Sequence, residues 1–403
     1  MINNISLLKP EECCGCRACG DICPRTCISF VTDKEGFYYP SIDDSACIGC
    51  GLCRKICPSM HPHLSSNAPS ATYVAYTLDR EMHRAGSSGG LFGIISTWVI
   101  EHGGRVWGAA FDSNLKLRHC SATNRQELAS LMKSKYIQSD TAGIYKTIKH
   151  DLQCGVTTLF AGTPCQSNGL RNYLGDKYEN LIIIDLLCHG VPSQDLFDKS
   201  IRWFEHKKNC TVTGFQFRYK ERHNRSSHMY KIDYIARGGG EEKSATGFYY
   251  DFPAFLYFCK YISLRPSCYE CKWSNPHRCG DITIGDFWGI EKIKPYLDAK
   301  NGISMLLANT DAGNSVIEKI KDKLYVESVP FEFACKNNGC LLLPAALTAS
   351  RSRLYNDMYV LAFDDLVKKW LSPKKKLLLD TYYNMPSAVK RIIKAMAGNR
   401  LKI

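Results

Sequence analysis

The sequence has no apolar run long enough to cross a bilayer. Its longest, Leu91 to Ile100, falls well short of the ~20 residues a spanning helix takes. The start, Met1 to Lys9, lacks the basic region and long apolar core of a secretory leader. A cytoplasmic setting is therefore expected. No G-x-G-x-x-G follows a candidate strand, so the Rossmann fingerprint for dinucleotides is missing. No repeat of solenoid length is present. With 45% hydrophobic and 23% charged residues, a mostly disordered or collagen-like chain is excluded. Cysteine, at 21 of 403 residues, is too sparse for a small disulfide scaffold. In a cytosolic chain that many cysteines point to metal binding or catalysis.

A general nucleic-acid surface is not indicated either. The net charge is +13, but Leu366 to Ile403 holds ten Lys or Arg and one acid, Asp380. That stretch alone carries +9, and the preceding 365 residues carry +4. Within it, Val389, Ile392, Ile393 and Met396 share one helical face opposite basic residues, preceded by Lys374, Lys375 and Lys376. Such a helix either rests peripherally on the inner face of an anionic membrane, docks a partner, or packs back on its own domain.

What is there begins with ten cysteines in the first 60 residues. Cys13, Cys16, Cys19 and Cys23 are spaced C-x2-C-x2-C-x3-C before Pro24. Cys47, Cys50, Cys53 and Cys57 repeat the spacing before Pro58. This is the run that binds two [4Fe-4S] clusters, with the fourth cysteine of each run serving the other cluster. One cluster is assigned to Cys13, Cys16, Cys19 and Cys57, and the second to Cys47, Cys50, Cys53 and Cys23. A zinc module is the alternative, but zinc sites use two separated CxxC pairs. Cys14 and Cys27 fall outside the pattern and are read as non-ligands. Residues 1–62 are thus a small ferredoxin-type domain, and His61 to Ala71 reads as a linker.

Beyond the linker, short apolar runs alternate with amphipathic ones. Strands are expected at Thr72–Tyr76, Val106–Phe111, Thr157–Ala161, Leu181–Leu187, Asp281–Gly285 and Ser304–Ala308. Helices are expected at Gly90–His102, Ala142–Leu152, Gln194–Glu205 and Gly313–Lys323. The fold class is α/β (mixed α+β): the ferredoxin-type domain, a larger α/β domain and a helical C-terminal tail.

Six motifs follow in order. They are Ser87-Ser88-Gly89-Gly90-Leu91-Phe92, Lys133-Ser134-Lys135-Tyr136, Gly162-Thr163-Pro164-Cys165-Gln166, Asp185 to Ser193, Leu264 to Cys271, and Asp281 to Gly289. Together they resemble the coenzyme F420 hydrogenase/dehydrogenase beta-subunit family. The resemblance covers an N-terminal part at 72–155 and a C-terminal part at 156–330, and composition makes 331–403 a basic helical tail. The resemblance implies an iron-sulfur flavoprotein that carries FAD and takes electrons from a redox donor such as ferredoxin or a redox subunit. These pass to a small-molecule substrate, a sugar derivative if the chain serves surface-polysaccharide biosynthesis. The alternative is an electron-relay subunit with no substrate of its own.

The residues are read beside that resemblance. Ser87, Ser88, Gly89 and Gly90 precede a helix, where free N–H groups and the helix dipole suit a pyrophosphate. A plain serine N-cap is the other reading. Lys133, Ser134, Lys135 and Tyr136 form a basic-aromatic patch. Within it Lys135 is placed near the flavin ring, against the alternative of a solvated helix end. Cys165, Cys188, Cys268 and Cys271 could hold a third [4Fe-4S] cluster. Cys279 is held in reserve in place of Cys165, with zinc or plain burial as alternatives. His189 is either a proton donor or a group bonded to a cluster sulfur. Asp286 reaches a flavin ribose or a substrate hydroxyl, or simply forms a turn. Arg218, Lys220, Arg222, His223, Arg225 and His228 crowd one segment, an anion site or a solvated charge run.

Overall fold

Each four-cysteine run turns on a left-handed residue, Arg17 (φ 64°) before helix α1 (Ala18–Ile22) and Gly51 (φ 74°) before α2 (Leu52–Lys55). Between them β1 (Ile28–Thr32) and β2 (Tyr38–Ile42) pair as an antiparallel hairpin. The computed structural model describes residues 3–65, 67–220, 228–385 and 389 of this chain.

The larger domain is built on β3 (Ala71–Thr77), β4 (Arg105–Phe111), β5 (Leu117–Ala122), β6 (Thr158–Gly162), β7 (Leu181–Leu186), β8 (Cys210–Phe217), β9 (Met229–Ala236), β10 (Lys243–Phe248), β11 (Ile282–Asp286), β12 (Ser304–Ala308) and β13 (Leu324–Ser328). Eight of them form one sheet in the order β13-β3-β12-β11-β7-β6-β4-β5. β11, β7, β6 and β4 are parallel, and the outer strands are antiparallel to their neighbours. β6 is buried throughout and β7 along all but its last residue, as central strands covered on both faces require. The expected strands all form, within a residue or two at their ends. None of them covers β5, β8, β9, β10 or β13. The sheet takes strands from both 72–155 and 156–330, so the two parts share one sheet.

Helices α3 (Arg80–Ala85), α4 (Leu91–Glu101), α5 (Arg125–Leu131), α6 (Ile144–Gln153), α7 (Pro164–Leu174) and α8 (Gln194–Lys208) follow in chain order. Leu91, Ile94, Ile95 and Val99 of α4 share a core with Leu128 and Leu131 of α5 and with the sheet. Tyr145, Ile148 and Leu152 of α6 and Leu170 and Leu174 of α7 form a second core, which also takes in Cys14 and Cys16. The ferredoxin-type domain is tied down there. Asp21 accepts from the Gly143 and Tyr145 N–H groups (2.8 and 3.0 Å), satisfying α6's free N-terminus. Gly169 of α7 leaves room for Cys16, whose Sγ would lie 3.1 Å from a Cβ there.

The linker is strapped to the large domain: Ser65 N–H donates to Arg278 O (3.2 Å) and Ser70 N–H to Ala308 O (2.8 Å). The tail is not a separate unit up to residue 385. Leu354, Leu366, Leu371 and Leu379 join the core of the β8–β10 sheet. Lys376, from the basic triplet ahead of the expected amphipathic helix, pairs with Asp251 and with Asp380 (3.2 Å). The amphipathic segment through Met396 lies outside the described residues except for exposed Val389. Among the described residues no helix is long and apolar enough to cross a membrane.

Candidate cluster and cofactor sites

Cys13, Cys16, Cys19 and Cys57 line one void, with Cys14 in the same wall. Cys47, Cys50, Cys53 and Cys23 line another, beside Cys27. The fourth cysteine of each run therefore stands in the other run's void. Among the described residues no three metal-binding side chains converge on a single-ion position; the thiols ring voids instead. Burial first, and then Cys14, push the Cys57 thiol up to about 12, and burial raises Cys19 well above its usual value. Bound iron reverses this, because a coordinating thiol is deprotonated outright. Asn4 Nδ2 donates to Cys47 Sγ at 3.7 Å.

A further cysteine group lies where the ferredoxin-type domain meets the strand ends. Cys165 is in the first turn of α7, Cys188 follows β7, and Cys268 and Cys271 lie on a 3-10 turn (Pro266–Glu270) and at its end. Burial first, and then Cys268 and Cys271, push the Cys188 thiol well up. The Gly190 N–H donates to Cys188 Sγ (3.3 Å), and a Cβ on Gly190 would lie 3.1 Å from Cys268 Cβ. A thiol hydrogen bond to Cys14, then burial, raise Cys165, which also feels Cys188. Cys279 is engaged elsewhere: its Sγ donates to Pro164 O (3.1 Å) and to Asp185 Oδ2 (3.5 Å). Cys14, read from spacing as a bystander, has its thiol held well below the usual value chiefly by the neighbouring Cys16 and Cys165 thiols. No spacing rule flags it.

The remaining motifs meet in one cleft of about 1340 Å3, open mouth included. Ser87, Ser88, Gly90, Lys133 to Tyr136, Cys188, His189, Arg218 and Asp286 all line it, at the C-terminal ends of the parallel strands. Ser134 N–H donates to Ser87 Oγ (2.9 Å), which ties the two expected cofactor segments together. Gly89 sits behind the wall, its N–H donating to Ser304 Oγ (2.9 Å). No serine caps α4. Gly90 (φ 76°) is the N-cap and makes no side-chain cap bond, while Leu91, Phe92 and Gly93 of the first turn line the cleft. Ser88 Oγ instead donates to Ile303 O (2.6 Å).

Lys135 takes a task the sequence did not suggest. Its Nζ donates to the carbonyls of Ser130, Leu131 and Met132 (3.0, 2.9 and 2.7 Å), closing the C-terminus of α5. A lysine has three donors, so none is left for a flavin. Lys133 Nζ donates to Gln216 Oε1 (2.7 Å), and Tyr136 stacks on Phe258 at 4.4 Å. Asp286 forms a two-pronged ion pair with Arg218, with Nη2 to Oδ1 at 2.9 Å. Burial alone would raise the Asp286 carboxyl, but the guanidinium outweighs it and holds it below its usual value. Arg218 itself has φ 55°, and its buried Nε has no partner among the described residues.

Lys220 Nζ donates to His83 O (2.7 Å) and Ser88 O (2.8 Å), and burial lowers it to about 7. His228 is described, but Arg222, His223 and Arg225 lie outside the described residues. His189 stacks on Tyr261, with Nδ1 at 3.3 Å from the Tyr261 hydroxyl and Nε2 at 3.7 Å from Cys340 Sγ. Burial lowers its pKa.

A mixed α/β domain behind eight ferredoxin-spaced cysteines defines an iron-sulfur oxidoreductase of the electron-transfer kind. Residues 12–60 match the model of a 4Fe-4S dicluster domain. Residues 156–333 match the model for the C terminus of the coenzyme F420 hydrogenase/dehydrogenase beta subunit. One chain of the F420-reducing [NiFe] hydrogenase complex from Methanosarcina barkeri is similar, at 16% identity and a TM-score of 0.45. The match covers 70% of this chain and 89% of that one. No curated protein matches.

Proposed function

We propose that this chain is an FAD-dependent iron-sulfur oxidoreductase that moves electrons from a ferredoxin-type donor to a small anionic substrate. One observation carries the reading: Cys188 belongs to the group with Cys165, Cys268 and Cys271 and also lines the cleft. The cysteines then form one path from the exposed Cys50, amid exposed Ile48 and Leu52, to the cleft wall. Cys165, Cys188, Cys268 and Cys271 hold the third [4Fe-4S] cluster in this reading, and Cys279 does not.

Several residues fit a flavin dinucleotide. The first-turn N–H groups of α4 are open to a pyrophosphate. Gly108 of β4 lines the cleft, and a Cβ there would meet Phe92 and Leu131 only at 3.5 and 3.6 Å. Packing therefore does not demand glycine, whereas an open cleft does. Bound FAD supplies the exchange between single electrons and a hydride pair. His189 and the Tyr261 hydroxyl can hold a proton between them at the cleft floor. The orphaned Arg218 Nε offers a charged donor to an anion, and Tyr136 and Phe258 exclude water beside it. A phosphorylated or nucleotide-linked sugar suits that wall, and surface-polysaccharide assembly would be its biological setting.

The test is anoxic purification with assay of iron, flavin and reduction of candidate sugar nucleotides by an artificial low-potential donor. Bound flavin, broad thiolate-to-iron absorbance and substrate reduction are expected. Absence of flavin from iron-replete protein overturns the reading. Flavin reduction with no substrate turned over by the isolated chain would favour a pure relay.

A further inference from the structure

Five arginines are buried among the described residues: Arg17, Arg218, Arg265, Arg278 and Arg351. Four are paired with a carboxylate, in Arg17–Asp140, Arg218–Asp286, Arg278–Asp185 and Arg351–Glu35. Arg265 has no exposed surface, yet no carboxylate pairs with it among the described residues. Its Nε donates to Cys13 O, its Nη1 to Gln138 Oε1 (3.1 Å) and its Nη2 to Tyr38 O (2.9 Å). The rings of Tyr39 and Phe37 lie 4.4 and 5.4 Å from its guanidinium carbon. Every acceptor is neutral. Buried cations persist where a counter-charge and hydrogen bonds compensate them, and here only the hydrogen bonds come from the polypeptide.

A place for such an anion lies beside the guanidinium. The loop from Cys13 to Cys16 lies directly on it: a Cβ on Gly15 (φ 70°) would sit 2.9 Å from Nη1. Cys13 and Cys16 line the first void. On the other side, the Cys268 N–H donates to Arg265 O (2.9 Å).

We propose that Arg265 is the fixed counter-charge of the [4Fe-4S] cluster held by Cys13, Cys16, Cys19 and Cys57, and that it raises that cluster's reduction potential. When the cluster takes up one electron it becomes one unit more negative, and no bond forms or breaks. A nearby immobile cation stabilises the reduced form more than the oxidised one. The charge comes from the large domain, so docking of that domain sets the potential of a cluster in the small one. Where the third cluster of the proposed function is present, Arg265 stands between two anionic centres and serves both. That clause alone rests on the third-cluster reading.

The test is an EPR-monitored redox titration of anoxic full-length protein, comparing wild type, Arg265→Gln and Arg265→Lys at equal iron content. In R265Q the cluster of Cys13 should become at least tenfold harder to reduce, about 59 mV for a one-electron couple. The cluster of Cys47, Cys50, Cys53 and Cys23, away from Arg265, should keep its potential. R265K keeps the charge and loses the three-way fork, and should stay near the wild-type potential. An unmoved potential in iron-replete R265Q overturns the proposal and leaves Arg265 a structural tie. If R265Q fails to keep its cluster, Q138E decides: a carboxylate on the Nη1 partner neutralises the cation in place, so a cluster at least tenfold harder to reduce supports the proposal, and an unmoved potential overturns it. A shift confined to one centre, with no third signal in any variant, sinks the third cluster and not Arg265.

Discussion

The Gly190 N–H donates to Cys188 Sγ across 3.3 Å, at the point where the second cysteine group meets the cleft. A backbone amide aimed at a thiolate sulfur stabilises its charged form, as metal ligation requires. On the proposed ligand set, wild type carries about twelve iron atoms per chain. C268S or C271S should fall to about eight, and C279S should keep the full complement. Loss of iron from C279S with C165S unaffected would exchange the roles of those two cysteines.

Asp286 and Arg218 predict a stability effect that is separable from function. D286N leaves the buried guanidinium without its carboxylate, a change of about 3 kcal/mol or more in the unfolding free energy. Replacing both, as R218M with D286N, removes the uncompensated charge and should recover most of that loss. Denaturant unfolding under anoxic conditions measures both. Equal loss in the single and double variants would show that the pair contributes shape rather than charge balance.

Gly108 separates folding from cofactor binding. G108V adds a β-branched side chain to a strand, where such residues are favoured, and points it into the cleft. The unfolding midpoint should hold, while bound flavin drops at least tenfold at unchanged iron.

His119 gives the chain an acid sensitivity. It is buried, with ring nitrogens at 3.1 Å from Ala161 O and 3.0 Å from Ser139 Oγ. Burial lowers its pKa from 6.5 to about 4. The folded value lies below the unfolded one, so the unfolded chain binds the extra proton first. Stability is complete above 6.5 and is lost as pH falls toward 4, by on the order of 3 kcal/mol at most. Unfolding of wild type and H119Q between pH 7.5 and 5 should diverge only below 6.5. Parallel pH profiles would contradict the burial argument.

The features that were legible in the sequence are those written locally. The two cysteine runs carry their ligand spacing within eleven residues each, and β6 and β7 announce burial by continuous apolar character. The β8–β10 sheet was hidden because its first strand carries a register shift between Val212 and Gly214 and is followed by a charge-rich segment. Lys135 shows its residue type in the sequence but not that its ammonium turns back on α5. Asp286 shows its position at a strand end but not Arg218, 68 residues away in the chain. Arg265 stands three residues before Cys268, inside a motif singled out for its cysteines, and only the folded chain reveals that it has no carboxylate.

The most direct test of the central claim is rapid-mixing spectroscopy of anoxic, flavin-loaded protein with a reduced ferredoxin-type donor, in wild type and C268S. The account predicts cluster bleaching first, flavin bleaching after it, and in C268S a flavin phase slowed at least tenfold while the ferredoxin-type clusters still reduce at the wild-type rate. Flavin reduction at the same rate in both proteins would contradict a path through the cysteines at the strand ends.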